Sequence, residues 1–389
     1  MDNVYIVSAK RTAIGTFGGA LKDYQSADLA VPVIQDIVQS LELDITEIDE
    51  VILGNVFKAG GKGNPARQAA IKAGLSQETP AMTIDKQCAS GLRAITIGAA
   101  EIVAGNLDFI IAGGTESMSN VPHLLLNGRW GKKLGDLMTV DGLLYDGLHC
   151  AIEGYHMGVT AENLARKYEI TRNEQDEFAL SSQEKAKKAI INERFKEEIV
   201  PLPLKRKGEL FSTDEHPYST SLEKLGQLSS VFEKNGTVTA GNASGLNDGA
   251  AVVALASEEA VQKYNLTPIG KLISMASAAV DPSIMGIGPV PATKKALKNV
   301  GMEIKDLDLV ELNEAFAAQV LAVNKELGVP EEIINVNGGA IALGHPVGCS
   351  GARIVVSLLH ELRKQKKQFG LASLCVGGGQ GVSVVVEAM

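Results

Sequence analysis

Cys88 lies in TIDKQCASGLRAI (83–95), where a strand-like run gives way to a helical one. Leu92, Ile95, Ala99 and Ile102 recur at helical spacing, Gly105-Asn106 closes the run, and Ser90 reads as its N-cap. A thiol at a helix start is a candidate nucleophile. The dipole and free N–H groups there can draw its pKa from about 8.5 toward roughly 3.5–7.5. The alternative is a structural cysteine in the core, against which Gly91 argues by allowing close approach. Cys375 ends an apolar run in LCVGGGQGVSVVV (374–386), where glycine N–H groups could face a developing oxyanion; a core-strand cysteine is the alternative.

His345 sits in NGGAIALGHPVGCSGARI (337–354), a loop whose five glycines must approach a ligand or another backbone. An imidazole there could serve as base to a thiol brought in from elsewhere. Cys349, four residues on, reads as packing, since two metal ligands without a third are weak evidence. Asn313, in NEAFAAQ (313–319), could fix a water or an oxyanion, or simply cap a helix. AKRTAIGTFGGAL lacks the GxGxxG spacing of a dinucleotide loop, and GxxxxGK[ST] does not occur. Lys205-Arg206-Lys207 reads as a solvated face, and the NAS sequon at Asn242 carries no function in a cytoplasmic chain.

The elements that position these residues are written twice. ITEIDEV (45–51) matches IKDLDLV (304–310), and each follows an amphipathic stretch and enters an apolar strand. SGLR (90–93) matches SGAR (350–353) at nearly the same distance downstream, and FIIAGG (109–114) matches LASLCVGGG (371–379). Four matches in one order imply a duplicated α/β unit, for which parallel strands and right-handed crossovers are expected. Two related loops should then bring Cys88 and His345 together across a pseudo-twofold axis. Residues 119–248 have no counterpart and read as an inserted loop domain. It splits an N-terminal repeat (1–118, completed by 249–268) from a C-terminal one (269–389).

Composition bounds the rest. A chain of 389 residues that is 45% hydrophobic can build two or three cores. Aromatics at 4% beside 41 glycines suit aliphatic α/β strands and tight turns. A net charge of -9 argues against nucleic-acid binding. Four scattered cysteines suggest a reducing compartment. With neither a leader-like start nor a membrane-length apolar run, the expected location is cytoplasmic.

CASG at Cys88, GGTESMS (113–119), HMGVTAEN (156–163), GTVTAGNASGLNDGAA (236–251), NEAF, GGAIALGHPVGCSGAR and CVGGGQG together resemble the thiolase family along nearly the whole chain. The HMG and TAGNASG segments are similar to its biosynthetic branch. The resemblance implies a five-layered αβαβα core with an inserted loop domain, assembled as a homotetramer (a dimer of dimers), with no metal and no permanently bound cofactor. It implies reversible condensation of two acetyl-CoA to acetoacetyl-CoA and CoA, with a broader 3-ketoacyl-CoA thiolase as the alternative. A non-catalytic acyl-CoA-binding relative should have lost Cys88, His345 or Cys375.

By the same resemblance, Cys88 is the nucleophile, His345 its base and Cys375 the acid/base at the substrate α-carbon. His345 with a water on Asn313 forms one oxyanion hole, and the N–H groups of Cys88 and Gly377 form the other. Leu148, His156, Met157, Phe232, Ala240, Ser244, Ala315 and Phe316 surround the acyl group and pantetheine. Three departures stand out. Asp85 replaces the usual Asn beneath the nucleophile turn, Tyr218 replaces an Arg associated with the coenzyme A nucleotide, and LSSVF (228–232) lacks the proline before Phe232.

Overall fold

A computed structural model describes residues 4–204 and 208–389, so the basic cluster 205–207 lies outside the described residues. In the first half, β1 (Tyr5–Arg11) leads to α1 (Ser26–Ser40), β2 (Glu50–Gly54), α2 (Pro65–Lys72), β3 (Ala81–Ile84), α3 (Ser90–Val103) and β4 (Phe109–Ser117). The long segment that follows carries α4 (Met157–Lys167) and α5 (Arg172–Ile191), and the chain returns to the sheet as β5 (Asn247–Ala256). The second half repeats the plan with β6 (Gly270–Ala279), α6 (Pro289–Asn299), β7 (Leu309–Leu312), α7 (Ala317–Leu327), α8 (Val347–Gln365), β8 (Phe369–Val376) and β9 (Gln380–Ala388).

The strands run β3-β2-β4-β5-β1-β6-β9-β8-β7. Within the sheet the halves are joined at Tyr5↔Lys271 and Ile6↔Gly270, between β1 and β6. The expectation of parallel strands holds for β3-β2-β4 and β7-β8 alone; every other ladder is antiparallel. The reason is connection length. Gly377–Gly379 turns β8 directly into β9, pairing Val376 with Gln380, and so short a link allows only an antiparallel neighbour. In the first half, β4 and β5 meet in the same way at Ser117↔Asp248, with the long segment in place of the tight turn.

The duplication extends to single hydrogen bonds. Asp49 Oδ2 accepts the N–H groups of Asp108 and Phe109, each at 2.8 Å, as it enters β2. Asp308 Oδ2 accepts those of Gln368 and Phe369 at 3.0 and 2.9 Å as it enters β7. One departure is that β3 has no full counterpart, and only a parallel bridge between Val310 and Ile334 stands in its place.

Helices α3 and α8 form the central layer, and the core around them draws Leu92, Ile95, Leu255, Leu272, Val355, Leu358, Leu374 and Val384 from both halves. Helices α1 and α2 cover one outer face and α6 and α7 the other, each over its own apolar cluster. This gives the five layers. From Val347 to Leu362 every residue of α8 is buried, as a helix enclosed on all sides requires. Most of its polar groups are paired inside, with Arg353 Nη1 on Glu311 at 3.1 Å, Ser357 Oγ on Glu198 at 3.0 Å and His360 Nε2 on the Ala9 carbonyl at 2.8 Å, while Arg353 Nη2 has no protein partner. Truncating Leu358 to alanine in such a layer costs about 2–5 kcal/mol.

Candidate active site

The turn before α3 shapes the nucleophile. Asp85 Oδ1 accepts the Gln87 N–H at 3.0 Å, and Gln87 takes the left-handed conformation (φ 48°) that throws the chain into the helix. Ser90 does not cap the helix as its type suggested. Ala89 occupies the N-cap, while Ser90 Oγ accepts the Lys86 N–H at 2.8 Å and donates to the Gln87 carbonyl at 2.7 Å. A hydroxyl at the first helical position can reach back over the turn and stitch it closed.

Close backbone approach brings the second repeat alongside. A β-carbon on Gly114 would lie 2.0 Å from the Gly348 carbonyl oxygen, and one on Gly91 would lie 2.9 Å from it. Only glycine lets the start of α8 press this close to α3 and β4. Val347, Leu148 and Cys88 then pack around Val56, Phe57, Met118 and Leu143. From the other side, the N–H groups of Gly377 and of Cys88 itself lie against the Cys88 sulfur.

Those donors do not make Cys88 a resting thiolate, as its helix-start position suggested. Burial pushes the thiol up to about 11, the Asp85 charge adds to the rise, and the two N–H groups offset only part of it. A nucleophilic role would therefore start from a neutral thiol and need a base.

His345 has the properties of that base. It is buried, and its N–H donates to Asn247 Oδ1 at 2.8 Å. Its Nδ1 lies 2.6 Å from Ser350 Oγ, whose one hydrogen goes to the Pro346 carbonyl at 3.0 Å. Nδ1 therefore carries the proton, and the Nε2 lone pair is left free. Burial, with the positive charge of Arg353, brings His345 down to about 4, so at pH 7 it is a neutral, weakened base whose Nε2 can still accept a proton. Cys375 ends β8 fully buried, and burial together with the Cys88 charge raises its thiol well above the usual range.

Asn313 follows β7, with its N–H on the Ser373 carbonyl at 3.0 Å. Its side chain is fully buried, and both amide atoms lack a protein partner. A buried amide with a free donor and a free acceptor is suited to hold a water or a polar ligand. Next to it, NEAF pairs with the 242–244 loop: Ser244 N–H donates to Ala315 O at 3.0 Å and Ala317 N–H to Asn242 O at 2.9 Å.

The residues of 119–248 expected around the acyl group converge on the same place. His156 stacks on Phe232 at 4.5 Å, and Phe232 meets Phe316 edge-on at 6.1 Å. Phe232 is thus seated without the missing proline. Met157 lies against the Gly377 turn, where a β-carbon would come within 2.7 Å of its Cε. Ala240 is exposed on its loop and Tyr218 is about half-exposed, its N–H on Gln183 Oε1 at 3.0 Å. Asp85 keeps the backbone contact an Asn would make and adds an ion pair to Lys58 at 2.9 Å. Cys349 is packed in the central core. Among the described residues, no three His, Cys, Asp or Glu side chains gather as a metal site.

Sequence reasoning gave no role to Ser350, Asn247 and Glu116. Ser350 had a signal, since it matches Ser90 in the repeat alignment and both hydroxyls stitch a helix start. Asn247 and Glu116 were quoted inside motifs, but only the folded chain shows what they hold.

Models of the thiolase N-terminal and C-terminal domains match residues 4–259 and 266–388. The acetyl-CoA acetyltransferase of Escherichia coli (strain K12) is 51% identical over the full length of both chains, and that of Pseudomonas aeruginosa is 51% identical over 99% of each. The crystal structure of the Bacillus anthracis acetyl-CoA acetyltransferase superposes with a TM-score of 0.97 at 48% identity, covering 100% of this chain and 99% of that one. Human mitochondrial 3-ketoacyl-CoA thiolase in complex with CoA gives 0.97 at 44% identity, covering 100% and 98%. Domain models that match both halves, and relatives about half identical from end to end, show one family of acyltransferases: the chain belongs to the thiolases.

Proposed function

We propose that this chain is an acetyl-CoA C-acetyltransferase, joining two acetyl-CoA into acetoacetyl-CoA and CoA through an acetyl group on Cys88. The observation that carries this reading is the pair of N–H groups, from Gly377 and Cys88, held against the Cys88 sulfur. Donors placed there also reach the carbonyl oxygen of a thioester bonded to that sulfur. Losing one such donor costs about 10²–10³ in rate.

The proton inventory closes. His345 Nε2 takes the Cys88 proton as sulfur attacks the first acetyl-CoA, and the departing CoA sulfur takes the Cys375 proton. The Cys375 thiolate then removes the α-proton of the second acetyl-CoA. The enolate oxygen is held by the protonated His345 and a water on Asn313. Its carbon attacks acetyl-Cys88, releasing acetoacetyl-CoA, and Cys88 recovers its proton from His345. Each group ends as it began.

Leu148, Met157, His156, Phe232, Ala315, Phe316, Ser244 and Ala240 form the acyl and pantetheine wall, with Met157 closing the acyl end. A broader 3-ketoacyl-CoA thiolase is the competing reading, favoured by the 44% identity to the human mitochondrial enzyme. We assign residues 119–248 to a loop domain between repeats 1–118 (with 249–268) and 269–389. Trp130, Leu134 and Met138 on that segment are more than 80% exposed, which supports its use in a homotetramer. Four free cysteines support a cytoplasmic location.

The test is peptide mass mapping after incubation with acetyl-CoA alone. Acetyl on Cys88 supports the reading; acetyl on Cys375 or Cys349, or on none, defeats it.

A further inference from the structure

Glu116 is the one acidic residue of β4, and it is fully buried. Its Oε1 accepts Asn55 Nδ2 at 2.7 Å and the Phe57 N–H at 3.3 Å; its Oε2 accepts the N–H groups of Val56 at 3.0 Å and Gly348 at 2.9 Å. Three donors come from the loop after β2 in the first repeat. The fourth comes from the first turn of α8 in the second repeat, three residues beyond His345. All four partners are donors, which favours an ionised carboxylate held by charge-assisted hydrogen bonds, against burial that pushes Glu116 up to about 7. The approach is so close that a β-carbon on Gly348 would fall 2.7 Å from Glu116 Oε2 and 2.9 Å from Asn55 Cα.

The same loop is gripped from its other side. Lys58 Nζ donates to the Asn55 carbonyl at 3.2 Å, the Val56 carbonyl at 3.1 Å and Asp85 Oδ2 at 2.9 Å. Asp85 Oδ1 holds the N–H of Gln87, the residue before Cys88, at 3.0 Å. A continuous set of polar contacts therefore runs from the His345 loop, through Glu116 and residues 55–58, to the Cys88 turn.

We propose that Glu116 is a positioning residue for acetyl transfer, its carboxylate fixing the spacing between the Cys88 turn and the His345 loop. The two loops belong to different repeats, and no peptide link sets their distance. This inference rests on the assignment of Cys88 and His345 given above. A displacement of about 1 Å between reacting groups costs about 100-fold in rate. Glutamine at position 116 keeps the size but turns one oxygen into a donor that faces donors. Aspartate at position 55 would give that new donor an acceptor and return the lost charge.

The experiment measures single-turnover acetylation of Cys88 by acetyl-CoA, and the acetyl-CoA KM, in the full-length enzyme. The variants are Glu116→Gln, Asn55→Asp and the two combined. The expected result is a fall of about 100-fold in acetylation rate for Glu116→Gln with KM within about twofold, and recovery of about tenfold or more in the double variant. A wild-type rate in Glu116→Gln overturns the proposal. So does a slow double variant, because a merely structural role would not be rescued by exchanging the charge. If Glu116→Gln does not fold, Asn55→Ala removes the 2.7 Å bond together with the 3.0 Å bond from Asn55 Nδ2 to the Thr115 carbonyl; it should lower the rate at unchanged KM, and an unchanged rate overturns the proposal. Wild-type enzyme that takes no acetyl on Cys88 defeats the active-site assignment itself. Labelled wild type beside an unaffected Glu116→Gln defeats only the role of Glu116.

Discussion

The backbone N–H of Gly377 lies against the sulfur of Cys88, so the glycine turn of the second repeat covers the nucleophile of the first. Cys88 is thereby half-buried as well as held by fixed dipoles. Of these two effects burial wins, and the thiol stands near 11. The enzyme should therefore show no pre-formed thiolate. Iodoacetamide modification of Cys88, followed by mass spectrometry, should rise about tenfold per pH unit from 7 to 9. A rate that levels off near pH 7 would contradict this. Because the Asp85 charge opposes ionisation, Asp85→Asn should move the profile to lower pH.

His345 predicts the acid limb of stability. Its folded pKa of about 4 lies below the unfolded 6.5. The unfolded imidazole takes a proton that the folded one refuses. The contribution is whole above pH 6.5 and is lost as pH falls toward 4. Between pH 6.5 and 5 the wild type should lose about 2 kcal/mol more than His345→Asn. Paired urea titrations check this, and parallel losses in the two proteins would refute it.

In the proposed cycle only condensation needs Cys375 as a base; in acetyl transfer it merely hands a proton to a CoA thiolate that is already a good leaving group. Cys375→Ser should retain most exchange of acetyl groups between acetyl-CoA and labelled CoA, with condensation reduced by 10²-fold or more, an order-of-magnitude figure for one general base (about 10²–10⁴). Equal losses in the two assays would remove the division of labour.

Met157 should limit acyl length. An additional methylene in a tight apolar pocket shifts discrimination by about 1–3 kcal/mol, roughly 10–200-fold. Acetoacetyl-CoA should be cleaved well and 3-ketohexanoyl-CoA poorly, with Met157→Ala narrowing the gap. Equal kcat/KM for four-, six- and ten-carbon substrates would instead support the broader thiolase.

The exposed Trp130, Leu134 and Met138 predict association. Sedimentation at micromolar concentration should give a tetramer, and replacing all three with Ser should weaken it. A wild-type monomer would refute the assignment.

By itself the sequence determined the duplicated α/β plan and pointed to Cys88, His345 and Cys375 as the candidate reactive groups. Asp49 and Asp308 betrayed the repeat because each must tie the same strand entry, and a buried N–H pair accepts few substitutes for a carboxylate. Cys88, His345 and Cys375 were legible because each sits at a strand or helix end marked by glycines. Tertiary structure alone decided their protonation states. A local motif puts Cys88 at a helix start, which favours the thiolate, but desolvation comes from packing with Leu148 and Val347, both remote in sequence. The mixed strand directions likewise followed from how short the Gly377–Gly379 connection is, which alternation of strand and helix does not reveal. Glu116 was equally hidden. A single carboxylate in an apolar strand signals a buried polar contact, yet only folding shows that its partners come from both repeats.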